Sequence, residues 1–97
     1  MYYIKVAWHH HHTDEPIALY SECDDSGWEI RKIEIFRDGR FGYADKAQST
    51  EGTRLGIEAL PPIAAIAQQP EFCPSAITKQ EFEEVWAAAQ TNALGKL

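Results

Sequence analysis

Four consecutive histidines, His9 to His12, followed closely by Asp14 and Glu15, form the densest group of chemically able side chains in the sequence. Imidazole and carboxylate are both zinc ligands. On an extended segment alternate residues point the same way, so His9 and His11 are the candidate metal pair. Metal centres normally gather ligands from separate elements held by an outer shell of hydrogen bonds. A solvated loop that picks up metal adventitiously is therefore the competing reading.

Nucleophiles are few. Cys23 and Cys73 are the only thiols, and Ser21, Ser26, Ser49 and Ser75 the only serines. None lies in a GxSxG or comparable setting, and the cysteines lack CxxC spacing, so free thiols are expected. The carboxylates Asp14, Glu15, Glu22, Asp24 and Asp25 fall around two different turns. In a meander those turns lie at opposite ends of the sheet, too far apart for an acid/base pair. Gly52, Thr53, Arg54 and Gly56, in the run GTRLG, form a candidate anion or ligand loop, because glycines can expose N–H groups and Arg54 adds charge. The run lacks the GK[ST] of a P-loop; a structural role for Arg54 and Leu55 competes. No catalytic set is assembled, no catalytic residue is named and no cofactor is implied.

The elements that would position these residues follow from periodicity. Residues 2–8 alternate, with Tyr2, Ile4, Val6 and Trp8 on one side and Tyr3, Lys5 and Ala7 on the other, as a half-buried strand does. Strands are also expected at about 17–22, 28–37 and 40–44. Trp28 and Ile30 are out of phase with Ile33 and Ile35. A bulge near Arg31-Lys32 that brings all four to one side is the favoured reading, and covering both faces is the alternative. Asp38-Gly39 signals a two-residue hairpin turn. That register sets Phe36 opposite Phe41 and places Phe36, Phe41 and Tyr43 on the face away from Ile33, Ile35, Gly42 and Ala44.

Residues 45–60 read as a long loop, and Pro61, Pro62 and Pro70 bracket a short helix at about 62–68. Thr78 and Glu81 form a capping box, with Ile77 and Phe82 as a hydrophobic staple. Phe82, Val85, Trp86, Ala89 and Ala93 make one stripe of a helix at about 79–92. The expected fold is one α+β domain: a four-stranded antiparallel meander with two C-terminal helices packed on one face.

That sheet gives the hairpin a possible task. With Ile33 and Ile35 under the helices, Phe36, Phe41 and Tyr43 would stand with Arg37 and Arg40, and with Arg31 nearby, as an exposed binding surface of hot-spot composition. The opposite reading makes the rings the core.

Charge narrows the partners. Fifteen acidic against nine basic residues leave a net charge of −6. Nucleic acid and anionic membrane both need cations, whereas a basic protein would be steered in. No stretch approaches a membrane span and no leader peptide is recognisable, so a cytoplasmic protein is expected. An uncovered edge strand leaves a homodimer by strand addition open.

The runs YIKVAW, DEP, LYSE, GWEIRKIEIFRDGRFGYA, GTRLG and EFEEVW resemble a family of short, stand-alone bacterial proteins known only as a domain of unknown function. The resemblance runs from Tyr3 to about Ala88 and implies a compact bacterial domain with no assigned catalytic residues. The function expected is a non-enzymatic protein-binding module, such as an immunity protein that masks a basic toxin. A small-molecule or metal-responsive module, and a small enzyme with its site between the 45–60 loop and the sheet, are the alternatives.

Overall fold

The computed structural model describes the backbone of residues 1–95 and the side chains of residues 1–91. The elements in chain order are β1 (Tyr2–Trp8), β2 (Pro16–Cys23), β3 (Glu29–Phe36), β4 (Phe41–Ala44), α1 (Ile63–Ala67), β5 (Phe72–Ile77) and α2 (Lys79–Gly95). The sheet runs β4-β3-β2-β1-β5, with every pairing antiparallel. The first four strands are the expected meander. The sheet has five strands rather than four because the chain returns after α1 to lay Phe72–Ile77 beside β1.

Pro74 hides β5 in the sequence, since proline argues against a central strand, but an edge strand accepts it. The Phe72 N–H points away from β1 and donates to the Gln69 carbonyl at 3.0 Å. Strand alternation puts position 74 on the same outward side, where proline has no N–H to offer. At the other edge Thr50 takes both outward groups of Tyr43, its N–H donating to the Tyr43 carbonyl at 2.9 Å and its Oγ1 accepting from the Tyr43 N–H at 3.0 Å. Both edges are thus blunted against strand addition.

The β3–β4 hairpin differs from expectation by one residue. Phe36 N–H donates to the Arg40 carbonyl and Gly39 N–H to the Phe36 carbonyl, each at 2.9 Å. Three residues, not two, make the turn, with Gly39 at φ 91° where glycine is unstrained. Ile35 therefore pairs with Phe41 and Ile33 with Tyr43. A one-residue slip changes faces, so Phe41 and Tyr43 join the isoleucines while Phe36 stays on the opposite face.

The expected bulge is present, slightly earlier in the chain. Glu22 pairs with Arg31 and Cys23 with Glu29, leaving Ile30 as the extra residue. It does not bring all four apolar residues together. Ile33 is fully buried, whereas Trp28 and Ile30 stay 46% and 39% exposed.

Both faces of the sheet are covered, and by different elements. α2 lays Phe82, Val85, Trp86 and Ala89 onto Tyr3, Tyr20, Ile33, Ile35, Phe41, Tyr43 and Ile77. Removing Phe82 from water contributes roughly 2–3 kcal/mol. The capping box forms as expected: Glu81 N–H donates to Thr78 Oγ1 at 3.0 Å and Thr78 N–H to Glu81 Oε1 at 3.2 Å. Ala93 of the expected stripe lies outside the described side chains. The opposite face carries Ile4, Val6, Leu19 and Cys23, and it meets the 45–62 segment and α1. Ile66 of α1 shares a cavity wall with Ile4 and Val6. The two helices thus lie on opposite faces, not on one. β1 presents apolar side chains to both sides, so neither face can be left to solvent.

Candidate functional site

The proposed hairpin surface is dispersed by the register. Tyr43 is buried, its ring edge-on to Trp86 at 5.3 Å, and Phe41 packs against the same core. Phe36, Arg37 and Arg40 remain at the hairpin tip. The Arg40 guanidinium lies 4.7 Å from the centre of the Phe36 ring and pairs with Asp38 at 2.8 Å. Arg37 donates to the His10 carbonyl at 2.7 Å.

Arg31 is the electrostatic centre of the α2 face. Its Nε reaches Glu22 Oε1 at 2.6 Å, while Nη1 and Nη2 grip the Glu83 carboxylate at 3.0 and 2.7 Å. The Phe82 and Trp86 rings lie 4.8 and 5.0 Å from the guanidinium. Tyr3 OH donates to Glu22 Oε2 at 2.8 Å. Hydrogen bonds from Arg31 hold the Glu22 and Glu83 carboxyls below the usual range, and those to Glu83 and Glu22 raise Arg31. Every charge in this cluster is spent on another member, so it anchors α2 to the sheet.

Immediately beside Arg31 the usual inside-outside pattern is inverted. Glu29 is buried, with Oε2 accepting from Ser21 Oγ at 2.8 Å and Oε1 from the Gly56 N–H at 2.7 Å. Its neighbours Trp28 and Ile30 are the exposed ones. A buried carboxylate and an exposed apolar pair are the informative departures on a protein surface. Bulges re-aim side chains in this way next to functional sites. Ile30 lines a shallow depression of about 380 Å³ with Leu55 and Ala47, rimmed by Glu22, Arg31, Asp45 and Lys46. The segment 56–60 runs alongside Gly27–Glu29, with Leu60 N–H donating to the Gly27 carbonyl at 2.8 Å. It adds the exposed Ile57 and Glu58.

The GTRLG run is a strap. Thr53 is buried, its Oγ1 donating to Glu34 Oε1 at 2.7 Å and its N–H to the Thr50 carbonyl at 3.1 Å. Lys32 Nζ meets the Arg54 carbonyl at 3.4 Å. The N–H groups of Thr53 and Gly56 are spent on acceptors within the protein, so they do not form an anion cradle. Gly52 (φ 85°) turns the chain, Arg54 is exposed, and Gly56 lines a cavity beneath the strap. A side chain at Gly42 would overlap Thr53 Oγ1, so the strap lies on β4 only because residue 42 has no Cβ.

His9, His10 and His11 line a depression with Trp8 and Arg37. His10 is committed within the protein. Its Nδ1 accepts from the His12 N–H at 2.9 Å, so the proton sits on Nε2, 2.8 Å from the Pro16 carbonyl. Its ring packs at a tilt against Trp8, with the ring centres 4.4 Å apart. Among the described residues no group of three or more His, Cys, Asp or Glu converges to hold a metal. Asp14–Glu15 and Asp24–Asp25 sit at opposite ends of β2. Burial pushes the Cys23 thiol up to about 11, and Cys73 is exposed; both are free.

With this geometry in place, comparison with known families is decisive at one level. The model of the family described as a domain of unknown function, DUF6881, matches residues 2–91. The chain belongs to that family. The match spans the whole described sheet and the described side chains of α2, so the DUF6881 domain includes the Trp28–Ile30 bulge, the strap and the histidine turn alike. No curated protein and no solved structure matches the chain. No helix among the described residues is long and apolar enough to cross a membrane. Sequence reasoning missed the exposed pair Trp28 and Ile30. Their signal was the phase break itself, with acidic Glu29 between two apolar residues.

Proposed function

We propose that this domain is a non-enzymatic protein-binding module that docks a basic partner on the Trp28–Ile30 bulge. The inversion at the bulge carries the reading: the fold buries Glu29 and leaves a tryptophan and an isoleucine partly exposed. Trp28 offers a rigid ring, and the separate depression whose apolar lining is Ile30, Leu55 and Ala47 suits one inserted apolar side chain. Tryptophan-centred patches with a polar rim are the usual form of a binding hot spot. The net charge of −6 favours a partner with basic residues around that side chain, recruited at rates that fall with salt. The finer expectation, an immunity protein masking a basic toxin, rests on that same acidity and on small size.

The experiment is cross-linked capture from cells of the source organism with wild type, Trp28→Ala and Ile30→Asp. The expected result is one basic protein bound by wild type and lost from both variants, with affinity falling as salt rises. Capture of the same proteins by all three would overturn the docking site. The immunity reading predicts in addition that the captured protein is a toxin neutralised by co-expression; a harmless partner removes that reading and leaves the docking site standing.

A further inference from the structure

We propose that the cavity beneath the 45–62 strap is a binding site for a small, uncharged, largely apolar molecule bearing one hydrogen-bond acceptor. The cavity measures about 290 Å³, at the small end of the range for ligand pockets. Ile4, Val6, Leu19, Leu60, Ile66 and Phe72 supply its apolar walls. The apolar walls come from five separate segments: β1, β2, β5, the strap and α1. It lies on the sheet face away from α2.

The ligand's polarity follows from the hydrogen bonds already made at the polar end. Ser21 Oγ–H is spent on Glu29, and each Glu29 oxygen already has a donor, from Ser21 and Gly56. Lys32 is different. Its ammonium has three donors, yet among the described residues the Arg54 carbonyl at 3.4 Å is its one hydrogen-bond acceptor. Glu29 and Glu34 both stand off at 3.9 Å, close enough for charge but beyond hydrogen-bond length. Lys32 therefore brings unspent donors to the cavity, and these call for an acceptor on the ligand; the Gln69 amide, which also lines the cavity, can donate to the same acceptor.

The ligand's charge follows from the lining. Glu29 and Lys32 are the charged residues there, and they cancel. A carboxylate ligand would be placed against Glu29 and an amine against Lys32, each without a free counter-charge. A neutral carbonyl compound on an apolar body meets both conditions. The site shares Glu29 with the docking bulge, but Trp28 and Ile30 form no part of its lining.

The test is a methyl-detected NMR titration of the full chain with four probes of one size: acetophenone, ethylbenzene, benzoate and benzylammonium. Acetophenone is expected to shift the Ile4, Val6, Leu19, Leu60 and Ile66 methyls saturably. Ethylbenzene, lacking the acceptor, is expected to bind at least ~tenfold more weakly, and both ions more weakly still. Leu60→Trp and Ile66→Trp fill the cavity from two different elements. A variant that keeps the wild-type circular dichroism is expected to lose the acetophenone shifts. The proposal fails if acetophenone leaves these methyls unmoved, or if a folded variant of either kind binds it as wild type does. Equal binding of ethylbenzene or of benzoate overturns the assignment of an uncharged acceptor, and that comparison needs no variant at all.

Discussion

Arg31 and Glu83, 52 residues apart in the chain, meet in a two-pronged ion pair at 3.0 and 2.7 Å. The same guanidinium holds Glu22 at 2.6 Å beneath the helix. One strand residue thus ties the sheet to α2 while the Phe82 and Trp86 rings shield it.

Removing Arg31 leaves the buried Glu22 carboxylate without its cation. Arg31→Met is expected to cost about 3 kcal/mol, read as a fall in the urea midpoint. Glu83 is 42% exposed at its side chain, so Glu83→Gln should cost under ~1 kcal/mol. Equal losses would show that the pair with Glu22 is not the dominant one.

Acid stability should report the same cluster. Glu22 and Glu83 have folded pKa values depressed by Arg31, relative to a carboxylate value of 4.5. Their contribution is complete above that value. It is lost as the pH falls from 4.5 through the lower folded values, where the unfolded chain binds protons first. Urea midpoints from pH 7 down to about 3 should therefore fall more steeply for wild type than for Arg31→Met.

Two glycines separate a packing constraint from a backbone one. Gly42→Ala drives a methyl into Thr53 Oγ1 and is expected to cost about 2 kcal/mol, loosening the strap. Gly39 has open space around it but a φ of 91°, so Gly39→Ala should cost about 1 kcal/mol through strain alone. Hydrogen exchange at Thr53 and Gly56 should rise in the first variant and not in the second.

The bulge should dissociate binding from stability. Trp28→Ala is expected to cost about 1 kcal/mol, less than a core substitution, because 46% of the residue is already exposed. Glu29→Leu strands the Ser21 hydroxyl and Gly56 N–H and should cost about 2 kcal/mol. If Trp28→Ala proves as damaging as Glu29→Leu, the ring is a fold element and the docking reading loses its support. Thermal melts of the two variants decide it.

Local patterns in the sequence determined much of this protein. Alternation in residues 2–8, the Thr78–Glu81 capping box and the 82–85–86–89 stripe are encoded in nearest neighbours, and each element forms where its residues place it. The tertiary structure decided what those patterns leave free. Asp38-Gly39 supports a two- or a three-residue turn, and that single residue determined whether Phe41 and Tyr43 would join Ile33 and Ile35 or lie with Phe36 on the opposite face. FCPSAI becomes a strand only because β1 has an unpaired edge for it, and Pro74 can be tolerated only at that edge. Glu29 reads as a solvent-facing acid until Ser21 and Gly56, from distant parts of the chain, arrive to satisfy its oxygens. The exposure of Trp28 and Ile30 is the other side of that burial. It depends on a partner for Glu29 27 residues away, a distance over which no sequence periodicity carries information.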